Sequence, residues 1–305
     1  MIKERKMSRS DIGSLFPDIP DRMNKGGMGR VLVICGSYEP NGLSMCGAAY
    51  FAAKAAYRCG AGIVEIFTPR ENYSALSQLV PEAVFSLYGY DESCETVAVR
   101  VKAEAEKCDA AVLGCGLGKS NMSKAIVKAV FESISRPLVI DADGLNILSD
   151  DASLWRLLSE EQRCKTVITP HPGEMSRLTG KAISTIVDNV SKAAVEFSRE
   201  KGIVCLLKDH NTVVTNGDIT YINQSGNAGM ATAGMGDVLA GIIGAILART
   251  NNCEKHDVLL CAAAGAYLHG CAGDIASAKI GRYSLNSSDL LAEIPSSIAE
   301  IFGKI

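Results

Sequence analysis

Asp237 is preceded by Gly226, Gly229, Gly234 and Gly236 and followed at once by Val238, Leu239, Ile242, Ile243, Ile246 and Leu247. The glycines let the backbone reach positive φ and approach a ligand with no Cβ in the way. The apolar residues return every three to four positions, so a helix is predicted to begin near Asp237. Its first N–H groups lack partners within the helix and lie at the positive end of the aligned peptide dipoles. Loop and first turn therefore form a seat for an anion, with phosphate the obvious candidate. Asp237 stands at the mouth of that seat. It serves either as an N-cap that bonds the free amides itself or as an acid with chemical work of its own, since a carboxylate there otherwise competes with an anionic ligand.

The other residues able to do chemistry follow short apolar runs. Gly114-Cys115-Gly116-Leu117-Gly118 is a second glycine-rich turn, opening into a helix from Ser120, and turn chemistry alone also explains such a pattern. Asp141, Asp143 and Asn146 come after Leu138–Ile140, and Pro170-His171-Pro172-Gly173-Glu174 comes after Thr166–Thr169. Lys208 follows Ile203–Leu207 directly. His171, between two prolines, either meets a ligand or caps its strand end.

These positions imply the elements that must hold them. Strands are predicted at 31–35, 62–67, 84–87, 109–113, 138–140, 166–169 and 203–207, with an alanine-rich helix over Cys46–Cys59. Residues 212–215 and 219–223 flank Asn216-Gly217, the expected turn of a hairpin. Strands alternating with helices imply a mostly parallel sheet covered by helices on both faces, an α/β fold whose ligands bind beyond the carboxyl ends of the strands. Gly36-Ser37, Gly114–Gly118, Asp141–Asn146, His171–Glu174 and Lys208 should then share one rim. Asp257–Lys279, which contains His269-Gly270 and Gly273-Asp274, reads as a long helix or two whose small residues mark close packing. A last helix from Ser287 is expected to be interrupted early by Pro295. Residues 1–24, with Pro17 and Pro20, read as a polar lead-in, and 25–305 as a single domain.

The 305 residues are 47% hydrophobic and 21% charged, the balance of a globular chain with a substantial core. A formal charge of −3, with no basic stripe, gives no reason to expect a nucleic-acid partner. The eleven cysteines form no CxxC and suit buried thiols in a reducing compartment better than disulfides or a zinc site. The polar start has no signal-peptide character, and no run approaches a membrane span. A cytoplasmic protein without membrane contact is expected.

With these residues set out, the chain resembles the ADP- or ATP-dependent NAD(P)H-hydrate dehydratases, which have a ribokinase-like fold. The resemblance is carried by 25–37 (KGGMGRVLVICGS), 47–62, 113–118 (LGCGLG), 141–148 (DADGLNIL), 169–174 (TPHPGE), 208–212 and 226–243, in family order across nearly the whole chain. It implies a carbon–oxygen lyase that returns the S-epimer of hydrated NADH or NADPH to the normal cofactor, by phosphorylation of the ring hydroxyl and elimination of phosphate. Hydroxide leaves poorly, and phosphate leaves well. By the same resemblance Asp237 is the base that takes the hydroxyl proton, while Ala48, Gly116 and His171, with Asp237, touch the hydrated dinucleotide. Lys208, Asp209, His210, Asn211 and Thr212, with Gly234, Met235 and Gly236, touch the ADP or ATP. Mg2+ accompanies the nucleotide with no direct protein ligand assigned. Asp141 and Asn146 either orient it through water or fix the loop, and Glu174 does either or caps the helix it begins. A helix N-terminus lowers a carboxylate pKa and nearby phosphates raise it, so Asp237 is expected to be a competent base mainly when nucleotide is bound. The family is commonly oligomeric, which implies a homo-oligomer. It often carries a fused epimerase, for which this chain has no room, so a separate epimerase is the expected functional partner.

The chain departs from the family pattern at Met235, where Thr or Ser is common, at Asp209 in place of glycine, and at Ala228 in place of proline. The Tyr38–Met45 stretch is also longer than usual. These differences bear on nucleotide affinity and on ADP against ATP preference. A small-molecule kinase of the hydroxyethylthiazole or hydroxymethylpyrimidine type shares the glycine loop and its Asp and is the alternative enzyme. A non-catalytic nucleotide-sensing module is the third reading.

Overall fold

Successive residues of the second strand face opposite ways, and both faces are buried. Val31 and Val33 join one apolar cluster, Leu32 and Ile34 another, as expected of a strand with helices on either side. The computed structural model describes residues 3–7, 9–16, 18–39, 41–250 and 257–302, so Pro17 lies outside the described residues. Its strands are β1 (Lys3–Lys6), β2 (Arg30–Ile34), β3 (Ile63–Pro69), β4 (Val84–Tyr88), β5 (Ala110–Leu113), β6 (Leu138–Ile140), β7 (Thr166–Ile168), β8 (Val204–Leu207), β9 (Thr212–Thr215) and β10 (Ile219–Asn223). They form one sheet in the order β1-β10-β9-β8-β7-β6-β5-β2-β3-β4. Every pairing is parallel except those of β9 with β8 and β10. The hairpin at Asn216-Gly217 forms as expected, with Gly217 at φ 94°.

On one face lie the helices Cys46–Arg58, Met235–Thr250, Val258–Ile280 and Ser287–Phe302, and on the other Cys94–Ala105, Asn121–Ser133, Asp143–Asp150 and Val190–Lys201. Small residues let the first group crowd together. A Cβ on Gly241 would stand 2.2 Å from the Ala52 carbonyl oxygen, so the Met235–Thr250 helix rides on the backbone of the alanine-rich one. That contact places the glycine loop, which precedes Met235, over the ends of the central strands.

Three expectations are corrected. The lead-in is more than a polar tail: β1 extends the sheet beside β10, and Ile12, Leu15 and Phe16 are buried in the same core. Polar residues mask it in the sequence because an edge strand needs only backbone pairing. Pro295 does not interrupt the last helix, which runs Ser287–Phe302. Leu290, Leu291 and Ile294 are buried against neighbouring helices, and such burial outweighs the roughly 3 kcal/mol that an interior proline costs. Finally, the Val258–Ile280 helix, at 23 residues, is long and apolar enough by composition to cross a bilayer. Most of it is instead buried in the fold, against β7, β8, β9 and β10.

Candidate active site

The loops after β5 and β6 are held together backbone to backbone. A Cβ on Gly114 would lie 2.2 Å from the Asp141 carbonyl oxygen, and one on Gly144 would lie 2.8 Å from Ile140 Cγ2. Only glycine fits there. Asp141-Ala142-Asp143-Gly144 closes as a tight turn, with the Gly144 N–H donating to the Asp141 carbonyl at 3.0 Å. Ala142 takes φ 49° and ψ −115°, the one positive φ outside glycine among the described residues, in a region that strongly favours glycine. The next residue ties the loops a second time, because Asp143 Oδ2 accepts from the Gly118 N–H at 2.8 Å. Asn146 is occupied on both sides: its Nδ2 donates to Asp143 Oδ1 at 3.2 Å and its Oδ1 accepts from Arg177 at 2.9 Å.

The strained turn points Asp141 at two partners. Lys208 Nζ donates to Asp141 Oδ1 at 2.9 Å, with the carboxylate buried. Burial opposes the charge on Lys208, and the carboxylates of Asp141 and Glu174 outweigh it and raise its pKa. On the other side, Asp141, Asp237 and Cys115 have ligand atoms within 4.8 Å of one another. Burial, with the Asp141 carboxylate beside it, pushes the Asp237 carboxyl up to about 7. The Cys115 thiol and Lys208 act the other way and do not cancel this. Burial and the neighbouring carboxylate thus raise Asp237 without the bound phosphates that the sequence reading invoked.

The helix Met235–Thr250 begins two residues ahead of Asp237. Gly234 takes φ 87° where the chain turns into it. Gly236 is hemmed in, since a Cβ there would lie 3.1 Å from Asp141 Oδ2 and 3.3 Å from Lys208 Nζ. The first turn thus lies directly against the Asp141–Lys208 pair. Beside it opens a cleft of about 650 Å³, within the range of small-molecule sites.

His171, Lys208, Asp209, His210, Thr212, Met235 and Gly236 all line this cleft. Asn211 and Gly234 are not among its lining residues, and Gly234 is covered by Phe51 and Ser287. Ala48 and Gly116 lie apart from the cleft but meet each other, with Ala48 Cβ 2.8 Å from where a Gly116 Cβ would stand. Asp237 connects the two regions, because Cys115 adjoins Gly116 and its thiol reaches toward the Asp237 carboxylate. His171 caps the Pro172–Thr179 helix: its Nδ1 accepts from the Gly173 N–H at 3.0 Å, and Glu174 Oε2 accepts from the His171 N–H at 2.9 Å. Burial, aided by Lys208 and Arg177, lowers the His171 pKa, which keeps Nδ1 free to accept. Capping and a place in the cleft are both true of it.

Two residues escaped the sequence reading. Cys115, taken as a generic buried thiol, stands beside Asp237. His269, absorbed into a run of small packing residues, lines the cleft. Its signal was the lone imidazole in a helix rich in alanine and glycine.

Comparison with known proteins bears on this arrangement. A family model described as NAD(P)H-hydrate dehydratase matches residues 31–296. The chain is 37% identical over 262 residues to the ADP-dependent (S)-NAD(P)H-hydrate dehydratase of Neisseria meningitidis serogroup B, covering 85% of this chain and 80% of that protein. It is 34% identical over 272 residues to the bifunctional NAD(P)H-hydrate repair enzyme Nnr of Escherichia coli, covering 89% of this chain and 48% of that protein. The chain therefore spans about half the length of the bifunctional relatives it matches. A ribokinase-like superfamily protein of Enterococcus faecalis superposes with a TM-score of 0.80 at 27% identity, covering 98% of this chain and 96% of that one. The chain belongs to the NAD(P)H-hydrate dehydratase family and has its ribokinase-like fold.

Proposed function

We propose that this chain dehydrates the S-epimer of NAD(P)H hydrate at the expense of ADP or ATP, restoring NADH or NADPH. The observation that carries the reading is the junction of three features in one place. The free amides of the Gly234–Asp237 turn lie against Lys208, at the edge of a nucleotide-sized cleft, and Asp237 stands between that cleft and the Ala48–Gly116 contact. The adenine nucleotide occupies the cleft along Lys208, Asp209, His210 and Thr212, with its terminal phosphoryl group at the amides of Met235 and Gly236. The hydrated nicotinamide ring approaches from Ala48, Gly116 and His171. Asp237 takes the proton of the ring hydroxyl as its oxygen bonds to phosphorus and the nucleotide leaves. The bond from the ring carbon to that oxygen then breaks, phosphate leaving with the electron pair, and loss of a proton from the neighbouring carbon restores the ring double bond. Positioning and fixed charge supply most of the rate in phosphoryl transfer.

A magnesium ion bound with the phosphates fits the donors present. Asp141 and Glu174 offer buried carboxylate oxygens near Lys208, whereas the Cys115 thiol is too soft to select magnesium. The ion would be held through water by those two carboxylates and would neutralise phosphate charge. Asn146 belongs instead to the loop tether described above.

The test is incubation with ADP or ATP, magnesium and enzymatically hydrated NADH, followed at the absorbance of NADH. Recovery that requires nucleotide is expected. Asp237→Asn should lower the rate by about 10²–10⁴, as loss of a general base does. No recovery, with nucleotide consumed against a vitamin-precursor alcohol, would move the chain to the kinases. Nucleotide binding without any turnover would leave a sensor. A cytoplasmic location, a homo-oligomer and a separately encoded epimerase partner belong to the same proposal, and cell fractionation, light scattering and assay with the R-epimer test them in turn.

A further inference from the structure

The glycine turn after β5 has a far end that the proposed reaction leaves unused. Gly118-Lys119-Ser120 leads into the Asn121–Ser133 helix, and Ser120 caps it, its Oγ accepting from the Ser123 N–H at 3.1 Å. The Gly118 N–H is taken by Asp143, whereas the N–H groups of Lys119, Ser120 and Asn121 have no acceptor among the described residues. All three residues are exposed. Free amides at the positive end of a helix favour an anion, although water alone would also satisfy them.

A second group turns toward the same place. Ser37, at the end of β2, is 4% exposed. Its carbonyl accepts from the Met45 N–H, while its hydroxyl has no partner among the described residues and is not sealed from solvent. Ser37 Oγ lies 3.5 Å from the point where a Cβ on Gly118 would stand, and Ser123 Oγ lies 3.9 Å from that point. A hydroxyl so nearly enclosed is costly to leave unpaired, and an oxygen placed over the helix start relieves it. Lys119 supplies charge. Its Nζ is 3.4 Å from Asp150 Oδ2 with both side chains about half exposed, a weak pair that leaves the ammonium free to turn to a stronger anion. Asp143, which borders the seat, is engaged by the Gly118 N–H and by Asn146.

The order of groups along the turn singles out the anion. Cys115 stands beside Asp237, Gly116 follows, and Gly118–Ser120 come next. On the hydrated dinucleotide the reacting hydroxyl is followed by the ring, then the ribose, then a phosphate. We propose that Ser37, Lys119 and the free amides of 119–121 form a second anion seat, which holds the phosphate nearest the nicotinamide ribose on the side of Asp237 away from the ADP or ATP phosphates. The assignment rests on the proposed dehydration at Asp237, with the ring at Gly116. It makes Ser37 and Lys119 specificity-determining residues, which select the phosphorylated nicotinamide nucleoside over the bare one.

KM values at saturating ADP with magnesium test it on the full chain, with three hydrated substrates: reduced nicotinamide riboside (no phosphate), reduced nicotinamide mononucleotide (one) and NADH (two). Wild type should have a KM about 10-fold higher for the riboside than for the mononucleotide, since hydrogen bonds to a charged group are the strong ones. Ser37→Ala and Lys119→Ala should each raise KM for the mononucleotide and for NADH by about 5-fold, and leave KM for the riboside and for ADP unchanged. Lys119→Arg keeps the charge and should stay near wild type. Lys119 is exposed, so its substitution spares the fold and gives a test independent of the enclosed Ser37. The proposal is overturned if wild type does not distinguish riboside from mononucleotide, if either alanine variant keeps the wild-type KM for the mononucleotide, or if either raises KM for the riboside by the same factor. Failure of wild type to restore NADH from its hydrate would instead sink the functional reading on which it stands.

Discussion

Asp237 carries a free-energy cost that follows from its position. Its carboxyl is raised from the usual 3.8 to about 7 by burial and by Asp141. Between those two pH values the unfolded chain has released this proton while the folded chain still holds it, so stability falls as pH rises toward 7. Asp237→Asn removes that titration and should gain stability over wild type as pH rises from 4 to 7, by on the order of 4 kcal/mol above pH 7, while nearly inactive; denaturant titrations at pH 5 and pH 8 should show a clearly larger gain at the higher pH. The same shift puts the acid limb of kcat/KM near pH 7, because the base must be ionised in free enzyme. A limb near 4 would mean that burial does not govern this group. Ala142 stores strain of a different kind. Ala142→Gly should stabilise the fold by about 1 kcal/mol, since glycine takes this conformation without a clash, as read from the thermal midpoint. Asp141 and its neighbours were readable as site candidates because acids after an apolar run are conspicuous. The strain at Ala142 was invisible, since nothing in an alanine announces its φ.

Among the elements, the Met235–Thr250 helix was the most legible. Its apolar periodicity predicted a start near Asp237, two residues past the observed one, and β2 to β10 each appeared within two residues or so at either end. Short buried runs bounded by glycine and proline leave little choice. β1 was missed because KERK has no apolar alternation, its strand state being imposed by the open edge of β10. The small residues of the facing helices are a stronger test of the packing. Gly241→Ala places a methyl carbon on the Ala52 carbonyl and should cost about 2 kcal/mol or more; because Gly241 faces away from the cleft lining, ADP affinity at a temperature where the variant is folded should be unchanged. A variant as stable as wild type would mean that the two helices are not in backbone contact.

Across the whole molecule, stability and ligand binding should be linked. A nucleotide that binds only the folded chain adds about 2.7 kcal/mol at one hundred times its Kd, so the thermal midpoint should climb steadily with ADP, and less so in Lys208→Ala, which lacks the cation at the cleft. Reductant should leave that midpoint where it is, because every cysteine among the described residues is unpaired. What the sequence determined was the alternation of buried strands and helices, and with it the rim along which Asp141, His171 and Lys208 had to fall. Those features are local: period, glycine placement and turn residues are written within a few positions of one another. Tertiary structure alone decided that Asp141 sits between Lys208 and Asp237, that burial and a neighbouring carboxylate raise Asp237, and that His269, far along the chain, lines the cleft. Each of these depends on the burial and field created by side chains distant in sequence, and such a field exists only once the sheet has brought them together.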